Sequence, residues 1–142
     1  MLLLSYWLQS HDLAGLSLFG DSAYSVYSAN QTLLSIATTR VRDGHPPLYY
    51  YLLHFWIQAG GDGELSVRLL AVCFGMAGVA AAYALGRQLA GPPLGLLAAM
   101  LLAFSPELVY DVRLVRMYAG LACLALISTY LFLRLLKRPT RL

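Results

Sequence analysis

Three stretches of this chain carry no charged residue: 69–86, 88–106 and 117–133. Each is close to the ~20 apolar residues that cross ~30 Å of hydrocarbon. A backbone in lipid must pair its own polar groups, so segments of this kind are helices. Composition points the same way: 59% of residues are hydrophobic and 12% charged, whereas soluble domains carry roughly 25% charged residues. The expected fold class is an all-α integral membrane protein, multi-pass, with about three transmembrane helices. The spans are expected at 64–86, 94–110 and 117–135.

The positions of the charges orient these spans. Four of the ten basic residues, Arg134, Lys137, Arg138 and Arg141, fall in the last nine positions. A basic end of this kind stays in the cytoplasm, and residues 136–142 read as a basic cytoplasmic tail. Counting back, the Arg87 loop is inside, residues 105–117 are outside, and everything from Asp21 to Glu64 is outside if residues 46–60 do not span. Anionic membrane lipid is a natural partner of such a tail. Nucleic acid is not, since no aromatic-basic surface accompanies it.

The remaining segments are shorter. Residues 1–8 read as the tail of a longer helix, and 1–20 as a helix stub with its loop. Neither a basic leader nor a small-residue cleavage site marks a signal peptide. From Ser22 to Arg42, Val26, Ala29, Leu33, Ile36, Ala37 and Val41 recur at helical spacing, which predicts one amphipathic helix in the plane of the interface. Asp43-Gly44-His45-Pro46-Pro47 ends it, because paired prolines let a helix begin but not pass through. Residues 48–59 then form a second short helix rich in Tyr49, Tyr50, Tyr51, Phe55 and Trp56, side chains that favour the headgroup level. Together 21–63 make an external loop of in-plane helices. Gly78, Ala82 and Gly86 recur every four residues, which allows close helix packing or is equally the ordinary small-residue content of such a helix. Cys73 and Cys123 both lie in apolar runs and read as buried small hydrophobes, not a disulfide or metal pair.

Three polar clusters could carry chemistry: Asp21 with Tyr24, His45 with Asp43, and the group Asp111, Arg113, Arg116 and Tyr118. Ionisable residues near the membrane are costly and point to function. Asp21 suits a general base for an acceptor hydroxyl, but its position before the amphipathic run favours a helix N-cap. Arg113 and Arg116, three apart, suit a phosphate, or a lipid headgroup. His54, inside an apolar segment, reads as a packed residue. Asn30-Gln31-Thr32 matches a glycosylation sequon, a short and common pattern. Zinc spacing, a P-loop, a nucleophile elbow and a dinucleotide fingerprint are all missing. The apolar runs contain no acid, which argues against an ion-coupled transporter.

The order Asp21-Ser22-Ala23-Tyr24, His45-Pro46-Pro47-Leu48-Tyr49-Tyr50, Glu64…Arg68, Leu85-Gly86-Arg87, Ser105-Pro106 and Arg116-Met117-Tyr118 resembles the N-terminal part of GT-C membrane glycosyltransferases. The likeness is to the bacterial branch related to protein O-mannosyltransferases and aminoarabinose transferases, family 39-like. It implies transfer of a sugar from a polyprenyl-phosphate donor to a glycan, lipid or protein acceptor at the outer face of the cytoplasmic (inner) membrane. It implies Asp21 as the catalytic base, and Tyr24, His45, Arg113, Arg116 and Tyr118 as substrate-binding residues. Two departures stand out. Ser22 replaces the second acid of the family's Asp-Glu pair, and Leu114 stands where a carboxylate commonly precedes the arginine. A divalent metal therefore has little support, and no other cofactor is called for. Such enzymes have more spans, so a fragmentary or truncated copy of doubtful activity is expected. A small non-catalytic membrane protein that binds lipid headgroups or a partner membrane chain is the alternative.

Overall fold

The computed structural model describes residues 2–11, 13, 18 and 20–137. Eight helices follow one another among them: α1 Leu2–Ser10, α2 Asp21–Ala29, α3 Leu33–Arg42, α4 Pro47–Gly60, α5 Glu64–Ala90, α6 Pro92–Ala103, α7 Pro106–Arg113 and α8 Tyr118–Leu136. The described residues contain no strand. Arg138 and Arg141 of the expected basic tail lie outside them.

Two helices, α5 and α8, are long and apolar enough to cross a membrane. The span expected at 94–110 is instead a pair, α6 and α7, bent by 53°. Ser105 caps α7 and Pro106 is its first residue. Proline has no N–H to continue the ladder of α6, so the direction changes there. Counted as one span, the pair makes three.

Small residues set the packing of the long helices. Gly91, at φ 84°, turns the chain from α5 into α6. On either side of the turn Gly86 and Gly95 face each other: a Cβ on Gly95 would lie 2.7 Å from the Tyr83 carbonyl, and one on Gly86 2.8 Å from that of Leu94. Gly78 packs instead against the Cys123 backbone of α8, at 3.8 Å for a built Cβ. The small-residue repeat thus serves two neighbours, α8 at one level and α6 at the next. Cys123 is buried, but Cys73 is exposed. It lies on the face of α5 turned away from Val72, Gly75 and Val79, and an apolar side chain in a membrane helix needs no protein interior around it.

The amphipathic segment is broken where one continuous helix was expected. α2 stops at Ala29, and Thr32 caps α3, its hydroxyl accepting from the Ser35 N–H at 3.3 Å. Short polar side chains that bond nearby backbone compete with the helix. The buried face of α2 is also not the apolar one: Ser22, Ser25, Ser28 and Ala29 are buried. Ser25 and Ser28 donate to the Asp21 and Tyr24 carbonyls at 2.9 and 2.6 Å, which satisfies them without another helix.

α4 begins after Pro46 with Pro47 as its first residue, and buries Tyr49, Tyr50, Leu53 and Ile57. Two side chains in its second half tie it to its neighbours. His54 Nδ1 donates to the Ala29 carbonyl at 2.6 Å, and Trp56 Nε1 to the Ser66 carbonyl at 2.8 Å. Ala29, Ile36, Tyr50, Leu53, Val67 and Val115 then form a core that joins α2–α4 to the start of α5 and the α7–α8 junction.

Candidate functional site

The site is built where α2, α4 and the α7–α8 junction meet. Buried Arg68 of α5 donates from Nε to the Arg113 carbonyl at 3.1 Å and from Nη1 to the Leu13 carbonyl at 3.2 Å. The first of these bonds satisfies a carbonyl left open at the end of α7. Leu114 is extended, so the chain leaves the helix there. Val115, fully buried, donates its N–H to the Ser22 hydroxyl at 3.3 Å. That bond ties the junction to the start of α2 and fixes the next residue, Arg116.

Arg116 is 7% exposed and forms an ion pair with Asp21. Asp21 is not an N-cap: Gly20, at φ 52°, occupies that position and Asp21 is the first helical residue. Its carboxylate faces largely into solvent, with only the guanidinium side enclosed. Burial works against the charge on Arg116, but the Asp21 carboxylate, and after it the Tyr50 phenol, hold its pKa above the ordinary arginine value.

Beside this pair lies a second cationic cluster. Arg40 is 1% exposed, with its guanidinium carbon 4.5 Å from the Tyr24 ring centre and 4.9 Å from that of Tyr50. Its Nη2 pairs with Asp43 at 2.9 Å, and Tyr24 donates to the same carboxylate at 3.1 Å. Nε and Nη1 of Arg40 have no hydrogen-bond acceptor, and the two aromatic faces take that role. Tyr50 thus stands between Arg40 and Arg116. His45 meets the Tyr50 ring edge-on at 6.5 Å, with Nδ1 3.0 Å from the Asp43 carbonyl.

An apolar groove of about 290 Å³ runs beside the pair, lined by Pro46, Tyr49, Leu52, Phe74, Met117 and Leu121 among others. The Tyr49 hydroxyl is buried without a partner. Burial, and then the neighbouring Tyr50, push its phenol well above the ordinary tyrosine range; the nearby Arg116 offsets part of this.

Of the residues singled out in the sequence, Asp21 and Arg116 are brought into contact. Tyr24 and His45 gather around Asp43 and Tyr50 next to them. Arg113 is not part of the pair: its backbone carbonyl is held by Arg68, while its Nε is buried without an acceptor. Asp111 makes no ion pair among the described residues, and Tyr118 opens α8 half-exposed. Arg40, Tyr50, Arg68 and Ser22 were missed as site residues. The i, i+3 spacing of Arg40 and Asp43 was the one available signal for the first. Among the described residues no three His, Cys, Asp or Glu side chains come together as a metal site.

Residues 44–141, more than half of the chain, match the family model described as dolichyl-phosphate-mannose-protein mannosyltransferase. The chain belongs to that family. The matched stretch of this mannosyltransferase-family chain contains His45-Pro46-Pro47, Arg68 and Arg116-Met117-Tyr118, while Asp21 precedes it. Family membership makes the chain a glycosyltransferase of the GT-C type, and its apolar helices make it a membrane protein. No curated protein and no solved structure matches it.

Proposed function

We propose that this mannosyltransferase-family chain carries the donor end of a transferase that moves a sugar from a polyprenyl phosphate to a hydroxyl acceptor, at the outer face of the cytoplasmic membrane. The observation that carries the reading is the Asp21–Arg116 ion pair beside an apolar groove. The groove suits an isoprenoid chain, the buried guanidinium suits its phosphate, and the exposed carboxylate suits a hydroxyl arriving from water.

The paired state is then a resting one. A donor phosphate competes with Asp21 for Arg116, and the unpartnered Tyr49 hydroxyl is a further donor close by. With Arg116 engaged by phosphate, Asp21 is free to accept a proton. The acceptor oxygen attacks the anomeric carbon, and the carbon–oxygen bond to phosphate breaks. Its electron pair leaves on the polyprenyl phosphate beside Arg116, and the acceptor proton goes to Asp21. No metal is needed to balance this step. Ser22, in place of a second acid, serves as the acceptor that ties down Val115.

Binding of a short-chain polyprenyl-phosphate mannose to the solubilised protein tests the reading. Arg116→Gln is expected to weaken binding at least tenfold, about the loss of one charge-assisted contact. Unchanged binding would reject the phosphate role of Arg116.

A further inference from the structure

We propose that the far ends of α5 and α8 form a separate binding site for a phosphate-bearing headgroup, independent of the Asp21–Arg116 site. The two helices carry the same pattern, Tyr83-Ala84-Leu85-Gly86-Arg87 on α5 and Tyr130-Leu131-Phe132-Leu133-Arg134 on α8. Four residues apart, each tyrosine and arginine share a helix face. The structure brings both faces to one open cleft of about 460 Å³, lined by Tyr83, Arg87, Gln88, Tyr130, Arg134 and Lys137.

This cleft holds three cations and no anion. The acids of the chain are Asp12, Asp21, Asp43, Asp62, Glu64, Glu107 and Asp111, so none falls between 65 and 106 or after 111. Along α5 the nearest is Glu64, 23 residues from Arg87, or about 35 Å at ~1.5 Å per residue. Helix C-terminal carbonyls attract cations, and this accounts for Lys137, whose Nζ donates to the Gln88 carbonyl at 2.7 Å. Arg87 and Arg134 also stand in the last turns of α5 and α8, yet unlike Lys137 they bond no carbonyl there. Among the described residues neither guanidinium has an ion-pair or hydrogen-bond partner.

Two guanidinium forks, an ammonium and two phenols match the oxygens of a phosphate mono- or diester. The cleft closes the ends of two helices fit to cross a membrane, where tyrosines sit at headgroup depth. Leu89, Leu131 and Leu135 beside it are exposed and offer a path for acyl chains. These features favour an anionic phospholipid, with free phosphate as the other source of the same chemistry.

The test is native mass spectrometry of the whole chain from mixed micelles of phosphatidylglycerol and phosphatidylcholine. The chain is expected to retain phosphatidylglycerol preferentially, and Arg87→Gln/Arg134→Gln to cut that retention about tenfold. Arg42→Gln, an exposed cation on α3, is the control and should change nothing. If the double variant loses helix content by circular dichroism, Lys137→Gln, at an exposed helix end, decides instead through a smaller loss. Displacement of the lipid by millimolar inorganic phosphate would support the site with free phosphate as its source. Retention in phosphate would support it with lipid as the source. Equal retention of the two lipids without phosphate binding would overturn the proposal, as would equal losses in Arg42→Gln and the cleft variants.

Discussion

Asp21 and Arg116 stand 95 positions apart in the chain and touch in the fold. The contact is asymmetric, with the guanidinium buried and the carboxylate open to solvent. Solvent screening leaves such a pair worth only about 0–1 kcal/mol. Asp21→Asn should therefore fold with a stability loss under about 1 kcal/mol, since Tyr50 also lies near Arg116. Thermal melting of the solubilised variant checks this, and a collapse of the fold would show that the pair is chiefly structural.

Tyr49→Phe separates two roles of one hydroxyl. The folded chain holds the phenol neutral, with its pKa raised above the ordinary value of about 10. A raised folded pKa contributes stability that is present below pH ~10 and is lost as pH rises further. Tyr49→Phe cannot ionise, so its melting temperature should fall less than that of the parent chain between pH 9 and 11. Because the hydroxyl has no partner, its removal at pH 7 should cost little. Identical pH profiles would contradict the burial argument. Weaker donor binding at unchanged stability would support a phosphate contact.

Ser22→Ala removes the acceptor of the buried Val115 N–H. An unsatisfied buried donor costs about 1–3 kcal/mol. The loss should be accompanied by weaker donor binding, because the residue after Val115 is Arg116. Ser22→Asp restores an acceptor at the position and should recover part of the binding. Unaltered melting and binding in Ser22→Ala would show that the junction is held by other contacts.

Gly95→Ala tests the turn between α5 and α6. Its methyl would meet the Tyr83 carbonyl at 2.7 Å and the Arg87 N–H nitrogen at 3.0 Å, both backbone atoms that cannot rotate away. Overpacking of this kind costs about 1–3 kcal/mol. Gly63→Ala, where an added methyl meets nothing within 4 Å, is the comparison and should melt close to the parent chain.

The parts of this fold legible in sequence were those with hard local signals. Pro46-Pro47 marked the start of α4, and charge-free runs marked α5 and α8. Ser105-Pro106 fell inside the span expected at 94–110, where the apolar run hid the break between α6 and α7. The break at Asn30-Gln31-Thr32 was hidden because no glycine or proline marks it and the apolar period continues across it. Arg40 was hidden for another reason: an arginine on an amphipathic helix reads as solvated, and only the fold shows Tyr24 and Tyr50 closing over it. The meeting of Asp21 with Arg116 depends on Arg68 and Ser22 placing the α7–α8 junction, long-range contacts that no local pattern encodes. Cys73 shows the reverse case, an apolar position that the helix turns outward.

The most direct measurement compares Asp21→Asn with the parent chain for both donor binding and sugar transfer, using polyprenyl-phosphate mannose and, for transfer, a hydroxyl acceptor. If Asp21 is the base and competes with donor phosphate for Arg116, Asp21→Asn should bind the donor at least as tightly as the parent chain. Its transfer should fall by about 10²-fold or more. Transfer at the parent rate by a folded Asp21→Asn protein would contradict the account.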